Sequence, residues 1–304
     1  MSLTDFHFDG ITIAYLLVGV IVTLLTVWYG RRNLREKGQS SRFYYTLLLF
    51  CAGYSITIFS TELKILLAGW EIMGFASFLL IVVDRNLTPG NKLKAFFIYR
   101  LGDVGLLLAM WASHHLWREN PTLVSLLLVM TASAQSSQLP FSSWLPQAIE
   151  NSFTTSGILL ATLMVQMGVF LLLRSMPFWE HQPSVRLLIA LLGAVAAAMA
   201  AGFARLQTSL KRRVAYASMA QAGLIFLEVA AGFKSLALAH VAANAMLRAY
   251  QLVKSQGTGN GKHPVQQRAK TWEDRLPIKL QYTLYLIYMK EWGLYSRLSK
   301  YLKA

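Results

Sequence analysis

Nine long apolar runs alternate with short polar or basic segments along this chain. The runs are Ile11–Tyr29, Tyr44–Phe59, Ile65–Val83, Ala95–Trp111, Leu123–Leu139, Ser156–Leu173, Leu187–Phe203, Val214–Ala231 and Ser235–Val253. A helix of about 20 apolar residues crosses a hydrocarbon core about 30 Å thick. Inside that core every backbone donor and acceptor has to be met within the segment, which favours helices over open strands. The pattern therefore predicts an all-α polytopic membrane protein with about nine transmembrane helices.

The polar positions inside those runs are the informative ones. Residues 66–84, LLAGWEIMGFASFLLIVVD, carry the carboxylate Glu71 beside Trp70. A charge at mid-bilayer costs about 2.5–3.5 kcal/mol on insertion scales and is accepted where it faces protein or water. Glu71 is thus either a neutralised structural group near a helix start or a functional one. The fourth run opens Tyr99-Arg100-Leu101-Gly102-Asp103, which places Arg100 and Asp103 at i, i+3, able to pair on one face for structure or for function.

The fifth run ends in SAQSSQLPFSSWLPQ, residues 133–147, where Pro140 and Pro146 remove backbone donors and Ser133, Gln135, Ser136, Ser137 and Gln138 cluster. A helix broken in this way lines a cavity or an ion path, or else marks an interfacial helix end. The ninth run places His240, Asn244 and Arg248 at i, i+4, i+8. An imidazole there can change charge near neutral pH. It can equally be a hydrogen-bonded packing group, with Arg248 snorkelling to the surface. Glu228 has no partner that the sequence names.

Composition agrees with the membrane reading. Of 304 residues 55% are hydrophobic and 14% charged, and the mean hydropathy is +0.43. The net charge of +15 does not imply nucleic acid, because the basic residues lie in loops between apolar runs. If the nine runs alternate, segments 30–43, 84–94, 205–213 and 254–304 share one side and hold 22 of the 29 Lys and Arg residues. That side is expected to be cytoplasmic, with the N-terminus outside and the C-terminus inside, in a bacterial-type inner membrane or an organelle membrane.

The lone Cys51 offers neither a disulfide nor a zinc site. The first ten residues hold two Asp and no basic residue, unlike a signal-peptide n-region, so the first apolar run is expected to remain in the mature protein. The transmembrane domain is taken as 1–253. Residues 254–304 read as a cytoplasmic Gly/Ser-rich linker and an amphipathic helix, with Leu284, Ile287, Tyr288, Tyr295, Leu298 and Leu302 edged by Lys and Arg. No phosphate loop, catalytic triad, metal-ligand set or cofactor motif is evident, so the chain is not expected to be a catalyst alone.

Several of these features occur in an order that resembles one family. They are Phe8-Asp9-Gly10, Gly69-Trp70-Glu71 with Gly74 and Ser77 to Ile81, Arg100 to Asp103, Ser136 to Pro140 with Trp144-Leu145, Leu210-Lys211-Arg212, Ala215-Tyr216, Gln221-Ala222-Gly223 and His240. The chain resembles the antiporter-like proton-channel subunits of respiratory complex I, large subunit 5 type, with relatives in Mrp antiporters and membrane-bound hydrogenases. The resemblance implies one complete five-helix repeat in helices two to six and part of an inverted second in helices seven to nine. The second broken helix with its lysine, and the family's two N-terminal helices, are not expected within this chain.

The resemblance assigns Glu71, Lys211 and His240 to an ion pathway, with Arg100, Asp103, Gln135, Asn244 and Arg248 as supporting polar groups. The polar axis departs from the family pattern. Gln135 stands for the first lysine, Leu160 for a histidine, Asn244 for a second histidine and Arg248 for a lysine. Glu71 then lacks its usual partner unless Lys211, Arg100 or a neighbouring subunit supplies a cation. The implied function is ion translocation, of protons first, within a larger coupling complex of membrane and peripheral subunits. A second branch of the likeness is the membrane subunit of inorganic-carbon (DAB) systems, paired with a zinc carbonic-anhydrase-like protein. A third reading is a non-conducting relative that anchors a partner.

The charge asymmetry fixes a topology test. Cysteine labelling is expected to place positions 32 and 92 on the cytoplasmic side and position 115 outside; labelling of 32 and 115 from one side overturns the nine-run threading.

Overall fold

The computed structural model describes residues 8–34, 40–82, 100, 102–112 and 120–257. These residues form helices and no strand. In chain order they are α1 (Gly10–Asn33), α2 (Ser40–Phe59), α3 (Leu63–Val82), α4 (Gly102–Ala112), α5 (Pro121–Gln135), α6 (Trp144–Asn151), α7 (Thr154–Arg174), α8 (Met176–Trp179), α9 (Pro183–Leu206), α10 (Leu210–Ala231) and α11 (Lys234–Gly257).

Six of them, α1, α2, α3, α7, α9 and α10, are long and apolar enough to cross a membrane, so the protein is a multi-pass membrane protein. Helices α4 and α5 are apolar but shorter. Helix α11 spans 24 residues but is more polar, because it carries His240, Asn244 and Arg248. Each of the nine runs thus contains a helix, and six meet the spanning criterion. The amphipathic segment expected near the C-terminus lies outside the described residues, and α11 takes in the first residues expected of the linker.

Helix α7 is the axis of the bundle. It is strongly apolar overall, its apolar stretch is wholly buried, and α1, α5, α6, α10 and α11 pack around it. The most extensive pairings elsewhere are α2 with α3 and α9 with α10. Both depend on glycine at the crossing. A Cβ on Gly53 of α2 would lie 2.5 Å from Met73 N and 2.8 Å from Gly69 O. One on Gly223 of α10 would lie 2.7 Å from Gly193 O. Such contacts let backbones approach where lipid gives helices no hydrophobic drive to associate.

The start of α1 and the C-terminal ends of α2 and α7 are tied by charge. Asp9 caps α1 by accepting from Thr12 N at 2.9 Å, and Arg174 Nη1 donates to its other oxygen at 2.7 Å. Arg174 Nη2 donates to Thr12 Oγ1 (2.6 Å) and Ile58 O (3.3 Å). Partial burial pushes the Asp9 carboxyl up, but the Thr12 donors and the Arg174 guanidinium outweigh it and hold it below 3.8. A depressed carboxylate stabilises the fold above its ordinary range and loses that contribution as pH falls through its native value. The tie is therefore full at neutral pH and weakens only in acid, below 3.8.

The α9–α10 crossing gives a direct test. Gly193→Ala or Gly223→Ala sets a methyl against backbone that cannot swing aside, and is expected to destabilise by about 1–3 kcal/mol. A lowered thermal midpoint of the purified chain in detergent is the measurement, and an unchanged midpoint refutes the close approach.

Candidate functional site

The fifth run was expected to remain helical to Leu139; α5 instead ends at Gln135. Ser137 then adopts a left-handed φ of 52°, and Leu139–Pro140 is cis. The chain resumes as α6, a helix that the apolar pattern does not register. Side chains satisfy the interrupted backbone: Trp144 Nε1 donates to Ala134 O (2.9 Å), Ser137 Oγ to Ser142 O (3.2 Å), and Gln138 Nε2 to Ser136 O (2.9 Å) and Met219 O (3.1 Å).

Opposite this break, α7 contains a π turn over Leu160–Met164. A wider turn displaces carbonyls from the helical ladder, and such turns recur at functional sites. Neighbouring side chains reach carbonyls there. Ser136 Oγ donates to Val165 O and Ser218 Oγ to Ala161 O, each at 2.7 Å. Gln135 Nε2 lies 3.5 Å from Met164 O and 3.3 Å from its sulfur, which also takes Ser77 Oγ of α3 at 3.2 Å. Gln135 is therefore an amide ligand of the π turn. Ser133, Thr155, Ser156 and Gln166 keep buried polar atoms with no partner among the described residues; three of the four lie on α7.

Glu71 sits beside this region on α3. Arg100 supplies its counter-charge, donating through Nη1 to Glu71 Oε2 and, at 3.0 Å, to Asp103 Oδ2. The other Asp103 oxygen accepts from Trp70 Nε1 at 2.9 Å. Trp70 is fully buried and Asp103 nearly so, whereas the Glu71 side chain is 38% exposed. The structure thus joins Glu71, Arg100 and Asp103, and it gives Trp70 a polar duty that the sequence did not state. Two carboxylates meet one guanidinium here, so with all three ionised the trio carries one net negative charge, which one bound proton cancels.

The remaining expected residues divide into separate groups. Lys211 Nζ donates to Ser152 O at 2.7 Å, at the junction of α6 and α7. Nearby, Glu150 accepts from Ser209 Oγ at 2.5 Å and lies 3.8 Å from Arg212. Asn244 and Arg248 do interact, Nε to Oδ1 at 3.0 Å, as their spacing predicts. Snorkelling is not what Arg248 does. It is 5% exposed and also donates to Gln251 Oε1 (2.7 Å) and Ala217 O (3.2 Å), because α10 offers acceptors within reach.

His240 bonds side chains of α10, where Nδ1 meets Glu228 Oε1 at 2.7 Å and Nε2 meets Gln221 Oε1 at 2.6 Å. Glu228 therefore has a partner after all. The signal that could have found it is the tight connection between α10 and α11. At about 1.5 Å per residue, His240 falls roughly 9 Å into α11, between the depths of Glu228 and Gln221 on α10.

Trp70 yields a prediction. Trp70→Phe leaves Asp103 Oδ1 buried without its donor and is expected to cost about 1–3 kcal/mol. The same change in an Asp103→Leu background, which offers no acceptor there, is expected to cost measurably less. Equal costs in a thermal-unfolding double-mutant cycle rule out coupling through that bond.

Comparison with known proteins adds the following. Residues 60–269 match the family described as "NADH:quinone oxidoreductase/Mrp antiporter, TM". The NADH-ubiquinone oxidoreductase chain 5 of Rhizopus stolonifer is 31% identical over 262 residues, covering 80% of this chain and 40% of that protein. That of Pongo abelii is 31% identical over 259 residues, covering 81% and 43%. This chain thus spans about 40% of the length of those relatives.

Among solved structures, the Mrp complex from Dietzia sp. DQ12-45-1b has a similar fold. Its TM-score is 0.72 at 22% identity, over 80% of this chain and 29% of the matched one. A membrane-bound sulfane sulfur reductase, an archaeal respiratory membrane complex, gives 0.71 at 16% identity over 93% and 51%. The inorganic-carbon reading finds no support among these relatives.

Proposed function

The chain belongs to the NADH:quinone oxidoreductase/Mrp antiporter transmembrane family, and from that premise we propose that it is an ion-translocating membrane subunit, moving protons, within a larger energy-coupling assembly. The observation that carries the reading is the Glu71–Arg100–Asp103 trio. Intramembrane ionisable groups are costly and mark ion paths by default. In this trio Arg100 stays protonated, so exchange falls to the carboxylates. Glu71 holds the more exposed oxygens, and Asp103, pinned by Trp70 and Arg100, fixes the guanidinium that Glu71 faces.

Lys211 and His240 are further proton-bearing groups, and Gln135, Asn244 and Arg248 act as hydrogen-bonding supports. Buried hydroxyl and amide atoms on and beside α7 lack partners among the described residues and suit hydrogen bonding to water. On this reading the partners are other membrane and peripheral subunits in a bacterial-type inner membrane or an organelle membrane, with the C-terminus on the cytoplasmic side.

Glu71→Gln tests the proposal. It keeps size and hydrogen bonding while removing the exchangeable charge. Proton flux in proteoliposomes, driven by an imposed potassium diffusion potential, is expected to fall on the order of 100-fold, the low end for loss of a positioned proton-transfer group. Copurifying subunits in mild detergent are expected to be unchanged. An assembled Glu71→Gln complex with wild-type flux eliminates conduction through Glu71 and favours the anchoring role.

A further inference from the structure

Glu228 and His240 are two titratable groups that the Glu71 trio does not use, and the helical hairpin of α10 and α11 brings them together. Nδ1 of the ring faces Glu228 Oε1 at 2.7 Å and Nε2 faces Gln221 Oε1 at 2.6 Å. The second carboxylate oxygen, Oε2, is buried and has no partner among the described residues. The side chains of Glu228 and His240 are about four-fifths buried, at 19% and 20% exposure.

Other charged groups lie on the helices packed around this pair. Arg186 of α9 donates through Nε and Nη2 to Ala230 O, at 3.1 and 3.0 Å, which closes the end of α10. Lys234 is the first residue of α11. Helices α1 and α7, also packed on α11, bring Asp9 and Arg174, which hold each other. Glu228 is therefore the carboxylate in direct contact with the ring.

We propose that Glu228 and His240 form a proton-exchange pair, with Gln221 as its positioning residue. This deepens the conduction reading and rests on it. The chemistry follows from the two contacts. Gln221 Oε1 accepts from Nε2–H and so keeps that nitrogen protonated, which makes Nδ1 the nitrogen that gains and loses a proton. In the charged state an imidazolium faces a carboxylate. Transfer breaks the Nδ1–H bond and forms a bond from the same proton to Oε1, leaving neutral imidazole and a neutral carboxylic acid. The terminal carboxyl torsion is broad and roughly two-fold. Its rotation carries the O–H to the place now held by Oε2, where a water molecule accepts the proton and the carboxylate is regenerated.

A neutral imidazole held only for packing needs one acceptor and one donor, whereas here both nitrogens face side-chain oxygens. The additional feature is the free oxygen of a buried acid, which gives the proton an exit that does not disturb the Gln221 contact.

The test uses the complex purified through this chain, as wild type, Glu228→Gln, Glu228→Asp and Glu71→Gln. Glu228→Gln keeps an acceptor for Nδ1 but carries no proton. It is expected to lower proteoliposome proton flux on the order of 100-fold, with subunit composition unchanged, and Glu228→Asp is expected to restore a substantial part. Infrared difference spectra on a pH step, with isotope-labelled histidine, are expected to show coupled imidazole and carboxylic-acid bands that Glu228→Gln abolishes. Wild-type flux in Glu228→Gln beside a silent Glu71→Gln overturns this inference while the conduction reading stands. Imidazole bands unchanged in Glu228→Gln overturn the pair whatever the flux shows.

Discussion

The requirement that shapes this molecule is that backbone polar groups inside a hydrocarbon layer find partners within the protein. Most helices meet it by their own ladders. Among the described residues two places do not: the break between α5 and α6, and the π turn of α7. Their freed groups lie against one another and are met by side chains. Ser136, Gln138 and Trp144 bond carbonyls at the break or on the helices facing it, while Gln135 and Ser218 approach carbonyls of the turn. Each irregularity depends on the other element being in register. That accounts for α7 being buried on all sides, since its turn is tolerable only where α5 and α10 cover it.

The polar residues follow a second rule: fixed cations are paired with orienting groups, and proton-bearing groups stand next to them. Arg100 is shared by Glu71 and Asp103, and Arg248 is held by Asn244, Gln251 and a backbone oxygen. Neither guanidinium gives up its proton under ordinary conditions. Their contribution is a constant local field and fixed geometry. Exchange on the proposed reading belongs to Glu71, Asp103, Glu228, His240 and Lys211, which stand in distinct clusters on α3 to α4, on α10 to α11 and at the α6–α7 junction.

What could be read beforehand divides along the same physical line. Apolar runs reveal helices because length and hydropathy are properties of single segments, and each of the nine runs contains a helix. The Arg100–Asp103 and Asn244–Arg248 pairs were legible because spacings of three and four residues lie on one helix face. Pairings between helices were not, since register between segments is a packing outcome. Hence Trp70 with Asp103, Ser77 and Gln135 with Met164, and Glu228 with His240 had to be seen. The α5 end was placed at Leu139 instead of Gln135 because hydropathy persists through Leu139 while Ser137 has already left helical geometry. Helix α6 was missed because its eight residues are too short and mixed to register as an apolar run.

Gln135, where the resemblance leads one to expect a lysine, is understandable in this frame. A lysine there would bring a fourth formal charge toward α3, where Arg100 already bridges two carboxylates, and its own surroundings are a thioether and carbonyls. An uncompensated ammonium in so buried a position is expensive, because Gln135 itself is only 2% exposed. The amide asks for hydrogen bonds but not for a counter-ion, so it serves the π turn without drawing Glu71 away from Arg100. The positive charge answering Glu71 is thereby supplied from α4's side of the helix and held there by Asp103, which Trp70 holds in turn. Gln135 carries no charge to pair with Glu71, while α3 and the helix break remain in contact through Ser77, Met164 and Gln135. Any coupling between them in this chain therefore passes through packing and hydrogen bonds around α7, and through protons arriving at Glu71, instead of through a direct ion pair.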